Sequence, residues 1–240
     1  MTMRRADWLV TTLQNAGLKV VAHAGWQGRG DNFADLRAVV LHHDASPPGD
    51  SPGVPAYMLR EMAAGRAGAQ LWVNRQGVWH VLAAGVAYHA GRVLDGMPGN
   101  TTSLGVELDH TTGESWPQAQ LDAMRLGVAA ILVRLGRDAG SLHMHKTICS
   151  PAGRKSDPAG LDLTAERART RRQLSTVITQ PAHITKENDM TPAQEAKLDK
   201  VLALLTALVA PRRADKVDSD PGQLSLADLF TQDERHGTTP

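Results

Sequence analysis

With a single cysteine, Cys149, among 240 residues, the chain cannot build an internal disulfide framework, which fits folding in a reducing cytoplasm. Neither sign of charge is in excess: 26 Lys and Arg against 25 Asp and Glu leave a net charge of +1. No broad basic field is offered to nucleic acid, so any polyanionic partner has to be recognised at a local site. Long apolar runs are missing as well. The longest, VLALLTALVA from Val201, has ten residues, too few to cross a bilayer, and no membrane insertion is expected. The opening MTMRRADWLVTTLQNAGLKVVAHAG imitates a secretory signal with its basic start and AHA triplet. Asp7, Gln14, Asn15 and Lys19 break the apolar stretch such a signal needs, so a soluble protein without a signal peptide is expected.

What is present, 42% hydrophobic and 21% charged residues, suffices for one sizeable core and an appendage. Trp8, Leu9, Leu13 and Ala16 recur at helical spacing ahead of Gly17. AVVLHH is an unbroken apolar strand ending in His42 and His43, a pattern expected of a strand buried on both faces. A loop rich in Ser, Pro and Gly leads to a short helix, AYMLREMAA. QLWVN and VWHVL around Gly77 predict a β-hairpin, with Trp72 and Trp79 in the core. SLGVEL predicts the next strand. Pro117 opens a long helix with an apolar stripe of Leu121, Met124, Val128, Ile131, Leu132 and Leu135. SLHMH reads as a last short strand and LTAERARTRRQL as a closing helix capped by Thr164.

This interleaving predicts an α/β fold over residues 1–178, a mixed central β-sheet flanked by helices. Residues 179–191 read as a linker, and 192–240 as a C-terminal helical tail, an amphipathic helix followed by a polar segment. Within the helix 192–209, Leu198, Val201, Leu202, Leu205 and Leu208 form a stripe that a lone helix would leave wet. It is expected to dock on the main domain or to drive self-association.

The segment HMHKTICSPAGRKSDP gathers metal-capable groups into one short stretch. A catalytic zinc usually keeps three protein ligands and one open position for water. His42 at one strand end, His145 at another and Asp157 in the loop beyond could converge on such an ion, with Pro151 and Pro158 shaping the loop. Each also has a plainer reading, as a capped or surface histidine or a turn aspartate. Cys149, four residues after His145, is a rival ligand or a small buried side chain.

HHDAS, AYHAG, NTTSLGVELDH and GRKSDPAGLD follow one another in an order that resembles the zinc-dependent N-acetylmuramoyl-L-alanine amidases sharing a fold with peptidoglycan recognition proteins, over residues 35–175. AGLKVVAHAGWQGRG and the helical tail further resemble endolysins of phages that infect actinobacteria. The resemblance implies Zn2+ as cofactor and His42, His145 and Asp157 as its ligands. His143, two residues before His145, is the alternative second ligand. It also implies hydrolysis of the amide between N-acetylmuramic acid and L-alanine in bacterial peptidoglycan. Glu107 would be the general acid and base, and Lys155 would stabilise the oxyanion. Ala69 stands where some members place a tyrosine, which shifts weight to Glu107. His89 and Asn100 are expected to contact substrate. An endolysin would be held in the host cytoplasm until a holin-type protein opens the membrane. A muropeptide-recycling amidase and a non-catalytic recognition module are the competing readings, the second disfavoured because all three ligand positions are filled and both Glu107 and Lys155 are present.

Overall fold

A computed structural model describes residues 4–179. The linker and tail expected over 179–240, including the helix 192–209 and its self-association, lie outside the described residues apart from Thr179 itself. Among the described residues no helix is long and apolar enough to cross a membrane.

Six strands form one mixed sheet: β1 (Val20–Ala22), β2 (Ala38–His43), β3 (Leu71–Val73), β4 (Trp79–Val81), β5 (Ser103–Leu108) and β6 (Leu142–Met144), in the spatial order β1-β4-β3-β5-β2-β6. Only the β3–β4 hairpin is antiparallel; the other four pairings are parallel. Gly77, at φ 78°, supplies the left-handed turn residue of the hairpin. Buried parallel strands must be apolar on both faces, and β2 is buried throughout except for half-buried His43.

Among the described residues five α-helices accompany the sheet: α1 (Leu9–Asn15), α2 (Val54–Ala63), α3 (Gln118–Arg134), the single turn α4 (His145–Ile148) and α5 (Leu163–Thr179). The period-two alternation of the strands separates two faces. Val39, Leu41, Leu104, Val106, Leu142 and Met144 turn to one face and join the main core with Met124, Val128 and Ile131 of α3 and Leu9 and Leu13 of α1. Val40 turns to the other face, against Ala90 and Ile148, and Trp72 packs there with Met58, Ala69 and Leu82. The strand residues in register with these, His42 and Glu107, share that second face.

Helix α3 lies hard against the sheet. Trp79 is fully buried and its indole N–H donates to Ala123 O at 3.2 Å. A Cβ on Gly127 would fall 2.2 Å from the Trp79 ring, so only glycine admits this approach. Arg125 fixes α5 on α3 through a bidentate pair with buried Glu166, at 2.8 and 2.9 Å, and Arg169 adds a third contact to the same carboxylate at 2.6 Å.

Three details depart from the sequence reading. β1 was not anticipated: three half-buried or exposed residues carry no alternation to read, and the strand exists because β4 offers it an edge. The cap of α5 is Asp162 rather than Thr164, since Asp162 Oδ1 accepts the Ala165 N–H at 2.8 Å and Thr164 lies inside the first turn. The last strand stops at Met144, and His145 opens a helix instead of ending a strand. The Thr147 hydroxyl donates to Met144 O at 2.8 Å and accepts the Met144 N–H at 3.3 Å, which turns the backbone there.

Substituting Gly127→Ala is expected to cost about 1–3 kcal/mol by overpacking. A fall in Tm with an unchanged denaturant m-value would register it, whereas an unchanged Tm would show that α3 can move off Trp79.

Candidate active site

Rigid elements bring three donors together. His42 is the penultimate residue of β2, buried to 1% exposure. His145 begins α4, whose strand β6 pairs with β2 on the side away from β5. Asp157 sits in an otherwise exposed loop tied at both ends. Its carbonyl accepts the Lys146 N–H at 2.8 Å, while two residues on Ala159 N–H donates to His43 Nδ1 at 3.2 Å and Ala159 O accepts from Trp116 Nε1 at 3.0 Å. Trp116 in turn stacks on His110, ring centroids 3.5 Å apart.

His42 Nδ1 lies 3.0 Å from His145 Nδ1 and 3.3 Å from Asp157 Oδ2, and His145 Nδ1 lies 3.0 Å from the same oxygen. The outward nitrogens are already used. His145 Nε2 is 3.1 Å from Ala90 O, a group that can only accept, so Nε2 carries a proton and donates it. His42 Nε2 is 3.0 Å from His89 Nδ1. Two imidazole lone pairs and a carboxylate lone pair cannot share such a small space unless positive charge sits among them. A hydrogen shared between two of them relieves part of this crowding, whereas a metal ion would satisfy all three at once. Tetrahedral zinc with bonds of about 2.0–2.1 Å spaces its ligand atoms about 3.3 Å apart, close to what is found. His42, His145 and Asp157 therefore fit zinc without rearrangement of the backbone, and they are the one cluster of this kind among the described residues.

Glu107 faces His42 across the β2–β5 register, its Oε1 4.0 Å from His42 Nδ1, while its buried Oε2 has no hydrogen-bond partner. Burial pushes its carboxyl well above the usual range, and the charges of Asp44 and Asp157 push the same way. Burial likewise lowers His42 to about 4, against the pull of its hydrogen bond with Asp157. For Asp157 burial acts upward, but the hydrogen bonds with His145 and His42 outweigh it and hold the carboxyl far below its ordinary value.

Other residues singled out in the sequence fall in different places. Lys155 is exposed, yet its charge acts on both His42 and Glu107, which sets it on the rim of the site. His143 stands in register with Val40, half-buried and outside the cluster, because the helix starting at His145 breaks the two-residue repeat that would have aligned both histidines. Cys149 is fully buried and also outside the cluster. His89, expected to line a substrate groove, turns inward, and half-buried Asn100, expected to contact substrate, holds backbone beside it. His89 is 8% exposed and faces His42, and Asn100 Oδ1 accepts the backbone N–H groups of His89 and Ala90 at 3.0 and 2.7 Å. Asp44 was missed. It accepts the Trp72 indole N–H at 2.7 Å and adds negative charge beside Glu107; its place directly after the His42–His43 pair was the available signal.

The N-acetylmuramoyl-L-alanine amidase family matches residues 32–160, more than half of the 240 residues. This chain belongs to that family. The amidase has the fold of AmiA, a Staphylococcus aureus hydrolase solved with its ligand: TM-score 0.53 and 15% identity, over 69% of this chain and 87% of that one. Two others among the similar structures are AmpD of Citrobacter freundii (22% identity, TM-score 0.46, 72% of this chain and 95% of that one) and the amidase LysC of Clostridium intestinale (16%, 0.47, 63% and 96%). No curated protein matches the sequence. The amidase thus hydrolyses the bond between N-acetylmuramic acid and L-alanine, and its family is generally zinc-dependent.

Seven histidines, His23, His42, His43, His80, His89, His110 and His143, have their protonation suppressed by burial, three of them to about 4, while Glu107 and Asp109 shift the opposite way. Below pH ~6.5 the unfolded chain takes up protons that the folded chain refuses. Stability of the metal-free amidase is therefore expected to rise from pH 4 to about 6.5, which chemical denaturation across that window would measure. His80→Gln should flatten the slope, since His80 is lowered to about 4.

Proposed function

We propose that this amidase is a zinc-dependent endolysin of a phage that infects actinobacteria, made in the host cytoplasm and released by a holin-type protein to act on bacterial peptidoglycan. The observation that carries the zinc reading is the convergence of His42 Nδ1, His145 Nδ1 and Asp157 Oδ2 beside a carboxyl whose proton affinity is raised. Support for the lytic setting comes from the resemblance of AGLKVVAHAGWQGRG to such enzymes. The apolar stripe in 192–209 supports self-association as a further property.

Zinc held there supplies a Lewis acid that acidifies water and polarises the scissile carbonyl. Glu107 takes one proton from the attacking water and delivers it to the alanine nitrogen as the C–N bond breaks. The hydroxyl stays on the lactyl carbon, giving a carboxylic acid and a free amine, and the acid then loses its proton to solvent or to the amine. A raised pKa suits this double duty, because the group must release as readily as it accepts. The partnerless Oε2 leaves one carboxylate oxygen uncommitted for the transfer. Lys155 contributes an ammonium to the oxyanion from the rim.

Digestion of purified peptidoglycan should raise alanine amino termini without new reducing sugar ends, be abolished by chelation and be restored by zinc. Binding to the wall with no new termini would instead favour a recognition module. Lys155→Ala is expected to lower kcat about a hundredfold, about 3 kcal/mol of transition-state stabilisation. Glu107→Gln should remove turnover while zinc uptake, followed by chelator competition, persists.

A further inference from the structure

An imidazole can give an electron pair to a metal through Nδ1 only if its remaining proton sits on Nε2. His42 is therefore useful to zinc in one of its two neutral tautomers. The atom facing its Nε2 is His89 Nδ1, 3.0 Å away, and two nitrogens at that distance share one hydrogen. Which ring supplies it is decided on the far side of His89. There, Nε2 faces the carbonyl oxygen of Ser103 at 3.3 Å and the Ser103 hydroxyl at 3.5 Å. That hydroxyl hydrogen already goes to Gly99 O at 2.8 Å, so both oxygens offer lone pairs to His89 Nε2, which must hold its own proton. His89 Nδ1 is then the acceptor, His42 Nε2–H the donor, and His42 Nδ1 is left bare toward His145 and Asp157.

The surroundings hold this arrangement in place. The Asn100 carbonyl grips the N–H groups of His89 and Ala90, and Ala90 O orients His145 in turn. Beneath the His89 ring lies Gly105, where a Cβ would come within 2.5 Å of the ring. The GVEL strand thus contributes Glu107 to the site and, two residues earlier, the gap that seats His89.

We infer that His89 is a positioning residue: the directional chain Ser103 O, His89, His42 selects the metal-binding tautomer of His42. The inference rests on the zinc reading for its consequence, but the direction of the chain can be tested without metal. Long-range 1H–15N correlation spectra of the full-length metal-free protein, at a pH where these histidines are neutral, should show protonated Nε2 on both His42 and His89. A proton on His42 Nδ1 would overturn the inference. In His89→Ala, His42 should populate the Nδ1–H form, which can donate to Asp157, and zinc affinity measured against a chromophoric chelator should fall about 10–100-fold. His89→Asn places an amide oxygen near the lost Nδ1 and should recover most of that affinity. Gly105→Ala, which displaces the ring without changing its chemistry, should weaken zinc as His89→Ala does.

Unaltered zinc affinity in His89→Ala, or a loss that His89→Asn fails to rescue, would assign His89 to packing alone. If the wild-type protein failed to bind zinc while both Nε2 protons were present, the zinc reading would fall and the hydrogen-bond chain would stand.

Discussion

Three electron-pair donors pressed within 3.3 Å of one another are the constraint on which the rest of the site depends. Such an arrangement is unfavourable unless positive charge compensates it, so a fold that holds it has to hold it rigidly. The mixed sheet does this by placing β2 between β5 and β6. One neighbour sets Glu107 against His42, and the other runs straight into the helix turn that carries His145. The opposite face of the same strands is given over to the apolar core with α3 and α5, and the stability gained there supports the cluster of polar groups on the other side.

The polar face also explains why neighbouring carboxyls behave oppositely. Asp157 meets imidazole nitrogens and is held ionised; Glu107 is pushed toward its protonated form by burial and then by the negative charges of Asp44 and Asp157. On the proposed zinc reading, environments that drive the two carboxyls apart in proton affinity would divide the work between a metal ligand, Asp157, and a proton carrier, Glu107.

Elements with a strong period were readable from the residues alone: the apolar run of β2, the hairpin around Gly77 and the stripe of α3 all appear where the pattern put them. What escaped depended on partners distant in the chain. β1 needs the edge of β4, the start of α4 is turned by one threonine hydroxyl, and Asp162 rather than Thr164 accepts the capping N–H of α5. The ligand candidates were legible as residue types at strand ends and in a loop. The inward turn of His89 was not, because a histidine in a loop gives no sign of which buried ring it will face. That information lies in the missing side chain of Gly105 and in the hydroxyl of Ser103.

The second histidine of the HH pair has a different task from the first. By accepting the Ala159 N–H, and with Trp116 holding the carbonyl of the same residue, His43 fastens the Asp157 loop to the sheet. A loop tied in this way resists an outward swing that would admit further oxygen donors. Calcium, which asks for six to eight oxygens at longer distances, and magnesium, which demands an octahedral and largely hydrated shell, are therefore poorly served by two imidazoles and a single carboxylate oxygen at fixed spacing. With zinc bound as proposed, discrimination among cations would rest on His43, beside the ligand, as much as on His42 itself.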